Sequence, residues 1–125
     1  MNVVDSSGWL EYFSGSSRSD LFAEAIEKTN ELLVPSISIF EIFKKVCKEH
    51  GEDKALKIVA HMQQGRVIDL DSRIAIYAAK VSINKNIPMA DSLIYSTAYL
   101  NNAILWTQDN DFRGLEGVKF FNKKK

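Results

Sequence analysis

The sequence predicts an α/β fold, a three-layer sandwich in which a five-stranded, mainly parallel sheet lies between two layers of helices. Short apolar segments with the composition of buried strands alternate along the chain with longer segments of helical periodicity. Strands that alternate with helices favour a parallel sheet covered on both faces. Right-handed crossovers and the strand order 3-2-1-4-5 make the first and fourth strands neighbours at the point where the order reverses.

Length and composition limit what the chain can be. Its 125 residues suffice for one hydrophobic core, so we expect a single domain over residues 1–122 and a frayed basic tail over residues 123–125. The N-terminus leads directly into a strand, and no apolar run approaches the roughly 20 residues that cross a bilayer, so we expect a cytoplasmic protein without a membrane partner. Sixteen basic residues balance sixteen acidic ones, so any contact with a nucleic acid must be local.

The first elements follow from apolar runs and helical stripes. The first strand is Asn2–Val4, which ends at Asp5. A short helix is expected over residues 6–13 and a serine-rich loop over residues 14–19. The next helix is predicted by an apolar stripe that consists of Leu21, Phe22, Ala25, Ile26 and Thr29.

The second strand and the two helices after it are the next predicted elements. Residues 31–35 have the composition of a strand. Ser38 and Glu41 have the spacing of a capping box, in which the glutamate reaches back to the cap, so they predict the start of a helix that ends at Gly51. Residues 52–64 predict another helix, and the side chains expected on its inward face are Ala55, Leu56, Val59 and Met62.

The third strand and the last two long helices complete the predicted α/β alternation. Residues 66–70 form the third strand, and Asp71 or Ser72 caps the helix that follows, which ends at residues 84–86. Pro88 opens the last long helix, because proline is favoured in the first turn.

Carboxylates follow the two strands that are predicted to be neighbours. The first strand ends at Asp5, and the fourth, an apolar run from Ala103, breaks into Thr107, Asp109 and Asp111. In open α/β sheets, ligands bind in the crevice outside the carboxyl ends of the strands. We therefore expect Asp5 and Asp109 to be neighbours at a functional edge. A short fifth strand is expected over residues 118–121.

Two further acids are expected at the same edge. Asp91 lies on the same face of its predicted helix as Ile94 and Ala98, so its carboxylate is expected on the apolar, inward side. The competing interpretation is that Asp91 only interacts favourably with the positive end of the helix dipole. Glu41 follows the second strand closely, so its helix also begins near the carboxyl edge, although the capping box alone would explain it.

Four converging carboxylates need compensation. At about 4 Å and an effective dielectric constant near 20, each ionised pair costs on the order of 4 kcal/mol, so protons or a cation must neutralise the group. Oxygen ligands without a companion histidine or cysteine suit Mg²⁺ or Mn²⁺ rather than zinc. Such a site favours phosphoryl chemistry, and the absence of a glycine-rich nucleotide-binding loop favours phosphodiester hydrolysis over kinase-like transfer.

The acidic motifs resemble those of PIN-domain ribonucleases, and the match closest in size is the VapC-type toxin of VapBC toxin-antitoxin pairs. The resemblance spans nearly the whole chain, with the motifs in the family's order and spacing. The motifs are Val4-Asp5-Ser6-Ser7, Ser38-Ile39-Phe40-Glu41, Pro88-Met89-Ala90-Asp91-Ser92-Leu93-Ile94 and Thr107-Gln108-Asp109-Asn110-Asp111-Phe112.

The resemblance implies a PIN-like fold and endonucleolytic cleavage of RNA with one or two Mg²⁺ or Mn²⁺ ions. It implies that Asp111 is a fifth, more variable metal ligand and that the hydroxyls of Ser6 and Thr107 orient carboxylates or waters. It also implies a homodimer and a cognate antitoxin protein that blocks the site. The acids to which it assigns catalytic and metal-binding roles are Asp5, Glu41, Asp91 and Asp109.

Two other functions use the same fold class. A phosphoacceptor receiver domain has a similar length and an acidic Mg²⁺ pocket, and Asp69 or Asp71 after the third strand would be the acceptor. Against it, the first strand ends in one acid rather than an adjacent pair, and Asp71 is more simply a helix cap. The other alternative is a catalytically silent interaction domain, whose acids would bind no metal tightly.

Overall fold

A computed structural model of the chain describes residues 1–123 and shows one parallel sheet of order β3-β2-β1-β4-β5. The predicted α/β fold and strand order are therefore confirmed. Two residues of the predicted basic tail, 124 and 125, lie outside the described residues. The strands are β1 Asn2–Val4, β2 Leu32–Pro35, β3 Arg66–Ile68, β4 Ile104–Thr107 and β5 Val118–Phe120.

Pairs of α-helices connect the first four strands. Two short 3₁₀ helices, Thr29–Glu31 and Asn110–Phe112, precede β2 and follow β4. No helix within residues 1–123 is long and apolar enough to cross a membrane. The α-helices are α1 Ser6–Ser14, α2 Asp20–Glu27, α3 Ser36–His50, α4 Glu52–Met62, α5 Ser72–Lys85 and α6 Met89–Leu100.

The sheet is buried on both faces. Successive strand residues point to opposite sides, and each side packs against helices. Val4 packs into a core with Trp9, Phe22 and other side chains of α1 to α4. Its neighbour Val3 packs into a second core that includes Ile94 of α6. The near-continuous apolar composition of β1, β2 and β4 follows from this double burial.

The predicted capping box at Ser38 is wrong, because α3 begins two residues earlier. Pro35 ends β2 and occupies the N-cap position with φ −61° and ψ 135°, and no side chain caps the helix. Ser38 is completely buried, and within the described chain its hydroxyl has no hydrogen-bond partner. Since Glu41 lies beyond the first turn, its side chain is available to another element.

The predicted inward face of α4 is partly wrong as well. Ala55 and Met62 are buried as expected, but Ile58 takes the third inward position and Leu56 is 50% exposed. The residues Ala55, Ile58 and Met62 are spaced three and four positions apart, which is the spacing of one helical face. Several apolar residues compete for the inward position in this segment, and packing against α3 selects among them.

The start of α1 is held close to β1 by a glycine. A Cβ atom built at Gly8 would lie 2.6 Å from Val4 Cγ1 and 2.8 Å from the ring of Phe22. Both distances are too short for carbon atoms, and both neighbours are completely buried. Only glycine therefore allows the first turn of α1 to approach the end of β1 this closely.

We expect Gly8→Ala to lower the free energy of unfolding by about 1–3 kcal/mol, because the added methyl group overpacks a closed core. This loss would exceed the gain of roughly 1 kcal/mol that alanine brings to an exposed helix position. Urea denaturation followed by circular dichroism measures the difference. A variant as stable as the wild type would show that the Val4 and Phe22 side chains move aside at little cost.

Candidate metal centre

Asp5 is the most deeply placed of the predicted site acids. It follows β1, caps α1, and is 2% exposed. Its carboxylate accepts hydrogen bonds from the Gly8 amide at 3.0 Å, from Ser7 Oγ at 2.9 and 3.0 Å, and from Thr107 Oγ1 at 2.7 Å. The sequence reasoning missed the roles of Ser7 and Gly8, although both follow Asp5 at spacings typical of an N-cap.

The environment of Asp5 favours its protonated form. Burial raises the pKa of Asp5 to about 6, although hydrogen bonds from Thr107, Gly8 and Ser7 oppose the change. The nearby charge of Asp109 raises the pKa further. The two acids predicted to be neighbours therefore interact electrostatically.

Thr107 connects these two acids. It is the last residue of β4 and completely buried, and its Oγ1 donates to Asp5 Oδ2 at 2.7 Å and accepts from the Asp109 amide at 2.9 Å. The parallel pairing of β1 with β4 continues as the Asp5 amide donates to the Trp106 carbonyl at 3.2 Å. One hydroxyl thus bonds to the residues that follow both strands.

Three carboxylates converge at the rim of the sheet. Asp91 lies in the first turn of α6, and Asp109 caps the 3₁₀ helix that contains Asp111, whose amide donates to Asp109 Oδ1 at 2.9 Å. One carboxylate oxygen from each of the three acids lies within 4.8 Å of the others. Asp91 and Asp109 are half-buried and Asp111 is exposed, so the group opens to solvent on one side.

Glu41 and Ser6 lie beside this group. The Ser6 hydroxyl donates to Glu41 Oε1 at 2.6 Å, a contact between residues 35 apart in the chain. Glu41 therefore accepts a hydrogen bond from α1 and not from its own helix. Its charge also acts on Asp91, which places Glu41 near the same rim. We call these five acids the acidic rim: Asp91, Asp109 and Asp111 form its centre, and Asp5 and Glu41 lie at its border.

The strongest electrostatic effect in the rim falls on Asp91. Burial raises the pKa of Asp91 to about 8, and a hydrogen bond with Asp111 and the charges of Asp109, Asp111 and Glu41 act in the same direction. In the part of the chain that the structure describes, salt bridges join Lys28 to Glu24 and Lys45 to Glu49, and none involves a rim acid.

The cations closest in sequence to these acids contact aromatic rings. Lys44 Nζ lies 5.7 Å from the ring centroid of Phe40, and the guanidinium of Arg113 lies 5.3 Å from that of Phe120. An oxygen-only group of three carboxylates without a paired cation fits a hard divalent ion such as Mg²⁺ or Mn²⁺. Asp91, Asp109 and Asp111 are the residues positioned to hold it.

The acids of the receiver-domain alternative lie elsewhere. Asp71 caps α5, and its Oδ1 accepts from the Ile74 amide at 2.9 Å. Asp69 and Asp71 follow β3, which is the edge strand of the sheet, separated by β2 from the β1–β4 pair. The helix-cap interpretation of Asp71 is therefore confirmed, and neither acid belongs to the acidic rim.

Comparisons with known proteins agree with this architecture. A family model described as the PIN domain matches residues 3–118. No curated protein sequence matches the chain significantly. Among solved structures, a toxin-antitoxin complex from Klebsiella pneumoniae is similar with a TM-score of 0.81 and 22% identity, covering 95% of this chain and 96% of that one.

Two further solved structures share the fold over nearly their whole length. VapBC2 from Rickettsia felis, bound to a DNA fragment from its promoter, has a TM-score of 0.75 and 18% identity, with 97% of both chains covered. The sarcin-ricin loop cleaving toxin VapC20 of Mycobacterium tuberculosis has a TM-score of 0.78 and 13% identity, with 94% of this chain and 97% of that one covered. At these identities the likeness concerns the fold.

The raised pKa values predict how stability depends on pH without divalent metal. In the unfolded chain the carboxyl pKa is about 4, so between about pH 4 and 8 the folded state holds more protons at Asp5 and Asp91. The stability that these two acids contribute is therefore fully present below about pH 4. It is lost as the pH rises through the pKa of Asp5, about 6, and that of Asp91, about 8. We expect the melting temperature in chelator to fall between pH 5 and pH 8.5.

Asp91→Asn tests this explanation. Because Asp91 is half-exposed, we discount its contribution and expect the variant to melt only about 4 °C above the wild type at pH 8.5, and to show a shallower pH dependence. Asp69→Asn, which removes a charge at an exposed position outside the rim, is the control and should follow the wild type. Parallel pH profiles for all three proteins would contradict the assignment.

Proposed function

Because this chain belongs to the PIN-domain family, we propose that it is an endoribonuclease that hydrolyses RNA phosphodiester bonds with Mg²⁺ or Mn²⁺ bound at its acidic rim. The observation that carries the proposal is the convergence of Asp91, Asp109 and Asp111 within 4.8 Å without a paired cation among the described residues. A structural role alone would not favour three unpaired carboxylates at one place, because they repel each other.

The residues have distinct proposed roles. Asp91, Asp109 and Asp111 hold the metal directly, and Asp5 and Glu41 complete the negative rim around it. When bound, a divalent ion supplies Lewis-acid catalysis of phosphodiester hydrolysis. Asp91 must lose its proton before it binds a cation, so affinity for the metal rises with pH through the Asp91 pKa of about 8.

Hydroxyl groups position these acids. Thr107 donates to Asp5 and accepts from the amide of Asp109, which fixes the relative placement of the two strand ends. Ser6 donates to Glu41 and so directs that carboxylate across the gap between α3 and α1. Both contacts join elements that are distant in the chain, so the rim is assembled by folding and is held ready for the metal.

Asp91→Asn and Asp5→Asn should each lower Mg²⁺-dependent cleavage of RNA by at least about 100-fold, because each removes a charge from the proposed metal-binding rim. Cleavage of a labelled RNA, resolved on a denaturing gel with Mg²⁺, Mn²⁺ or chelator, measures the effect. Asp69→Asn should retain wild-type activity, and all three variants should remain folded by circular dichroism.

Two outcomes would overturn the proposal. Cleavage that persists in both rim variants would indicate a contaminating nuclease. A wild-type protein that neither cleaves RNA nor binds Mn²⁺ in a titration calorimeter would be a catalytically silent interaction domain of the same fold.

The structural matches support a toxin role with a protein partner. Two of the matched structures are described as a toxin-antitoxin complex and as VapBC2, and the aligned region covers nearly all of each matched chain. We therefore assign the chain as the toxin of a type II toxin-antitoxin pair, with a cognate antitoxin that blocks the rim. The homodimer implied by the resemblance stays a prediction.

The antitoxin assignment has its own test. We expect the gene next to this one to encode a small DNA-binding protein that co-purifies with the chain and inhibits its cleavage of RNA. Co-expression followed by gel filtration and the same cleavage assay measures both effects. If the protein encoded by the adjacent gene neither binds the chain nor inhibits its cleavage of RNA, the toxin-antitoxin assignment is wrong and only the nuclease function remains.

A further inference from the structure

A polar cavity adjoins the acidic rim at the carboxyl ends of β4 and β5. Its volume is about 440 Å³. Gln108 and Asn110 line it and immediately flank Asp109 in the chain, so two of its lining residues lie next in sequence to a proposed metal ligand. No carboxylate is among the residues that line it, which are Gln108, Asn110, Arg113, Asn122 and Lys123.

Two cations give this cavity its charge. The guanidinium of Arg113 lies 5.3 Å from the ring centroid of Phe120. Such a cation–π contact holds the guanidinium at the ring without neutralising its charge. Neither Arg113 nor Lys123 is in a salt bridge within residues 1–123, so both charges are available to an anion.

Arg18, which does not itself line the cavity, holds two of the lining residues in place. Arg18 Nε donates to Gln108 Oε1 at 3.0 Å, and Arg18 Nη1 donates to the Asn122 carbonyl at 3.3 Å. Its other terminal nitrogen, Nη2, is buried and has no hydrogen-bond partner in the described chain. Gln108 is in turn fixed on its other side, because its Nε2 donates to Glu11 Oε1 at 2.7 Å. Arg18 thus fixes two of the residues that line the cavity, and its own charge acts on Glu11.

We infer that this cavity binds a backbone phosphate of the RNA strand, next to the phosphodiester that lies at the metal. The inference rests on the proposed nuclease function and adds a subsite to it. An RNA strand at the acidic rim is repelled by the rim's own charge, and the chain as a whole is neutral, so attraction has to come from a local group of cations. The Arg113 and Lys123 side chains supply it at the cavity that Gln108 and Asn110 also line.

The alternative occupant is an acidic segment of a protein. The position of the cavity favours RNA, because Gln108 and Asn110 lie on either side of a proposed metal ligand and a strand cut at the metal passes beside them. The chemistry of the wall agrees, since arginine, lysine and amide groups are the donors that proteins direct at phosphate oxygens.

Equilibrium binding separates this subsite from catalysis. A fluorescein-labelled single-stranded RNA is titrated with protein in chelator, and anisotropy is followed from 50 to 200 mM salt. We expect Arg113→Gln and Lys123→Gln each to weaken binding about threefold or more, and to reduce the slope of log affinity against log salt by about 0.7 per lost contact. Arg113→Lys should keep the wild-type slope, and so should Lys80→Gln, which removes an exposed charge on α5.

Cleavage and melting temperature complete the test. At subsaturating RNA we expect the single-turnover cleavage rate of the two glutamine variants to fall about threefold or more, in step with their weaker binding, with an unchanged melting temperature, whereas Lys80→Gln should cleave like the wild type. Wild-type affinity and salt slope in both variants would overturn the subsite even when the wild-type protein cleaves RNA. Weaker binding of polyglutamate with unchanged binding of RNA would also overturn it, in favour of a protein partner.

The two proposals fail in different ways. If the wild-type protein binds RNA through Arg113 and Lys123 but does not cleave it with any divalent metal, the nuclease function fails and the phosphate subsite stands. If the wild-type protein cleaves RNA and both glutamine variants bind RNA as tightly as it does, the nuclease function stands and the phosphate subsite fails.

Discussion

Negative charge without a paired cation collects at the carboxyl edge of the sheet, and the contacts around it serve to hold it there. Asp91, Asp109 and Asp111 meet at this edge in the described chain, and burial together with their mutual repulsion raises the pKa of Asp91 to about 8. Such an arrangement is unfavourable to the folded protein by itself. It becomes favourable once a cation binds, so the group that opposes folding without metal is also the proposed working part of the protein.

The architecture holds these charges in place through contacts between distant segments. The parallel pairing of β1 with β4 brings Asp5 to Thr107, and the Thr107 hydroxyl then reaches both Asp5 and Asp109. Gly8 permits the close approach of α1 to β1 that lets its amide reach Asp5. Burial of the sheet on both faces makes these strand ends rigid, because neither strand can shift without opening a core.

Charge is separated over a short distance at this edge. The acids lie after β1, on α3, on α6 and after β4, whereas Arg113 and Lys123 line the neighbouring cavity. Arg18 donates hydrogen bonds to two other residues that line it. The balanced total of sixteen positive and sixteen negative residues hides this separation. A substrate that carries many phosphates would meet attraction beside the metal site and not at the acids themselves.

The amino-acid sequence was enough to predict the strand order, the helices within a few residues and the acids that follow β1 and β4. These features have strong local signals, namely apolar runs, helical periodicity and polar residues directly after strands. Four features became clear only in the folded chain: the start of α3, the choice of Ile58 over Leu56, the Ser6–Glu41 contact and the polar cavity. The start of α3 follows from the end of β2 at Pro35, which takes the N-cap position without a side-chain cap. Packing against α3 selects Ile58, and the contact and the cavity join residues that meet only after folding, so no local pattern encodes them.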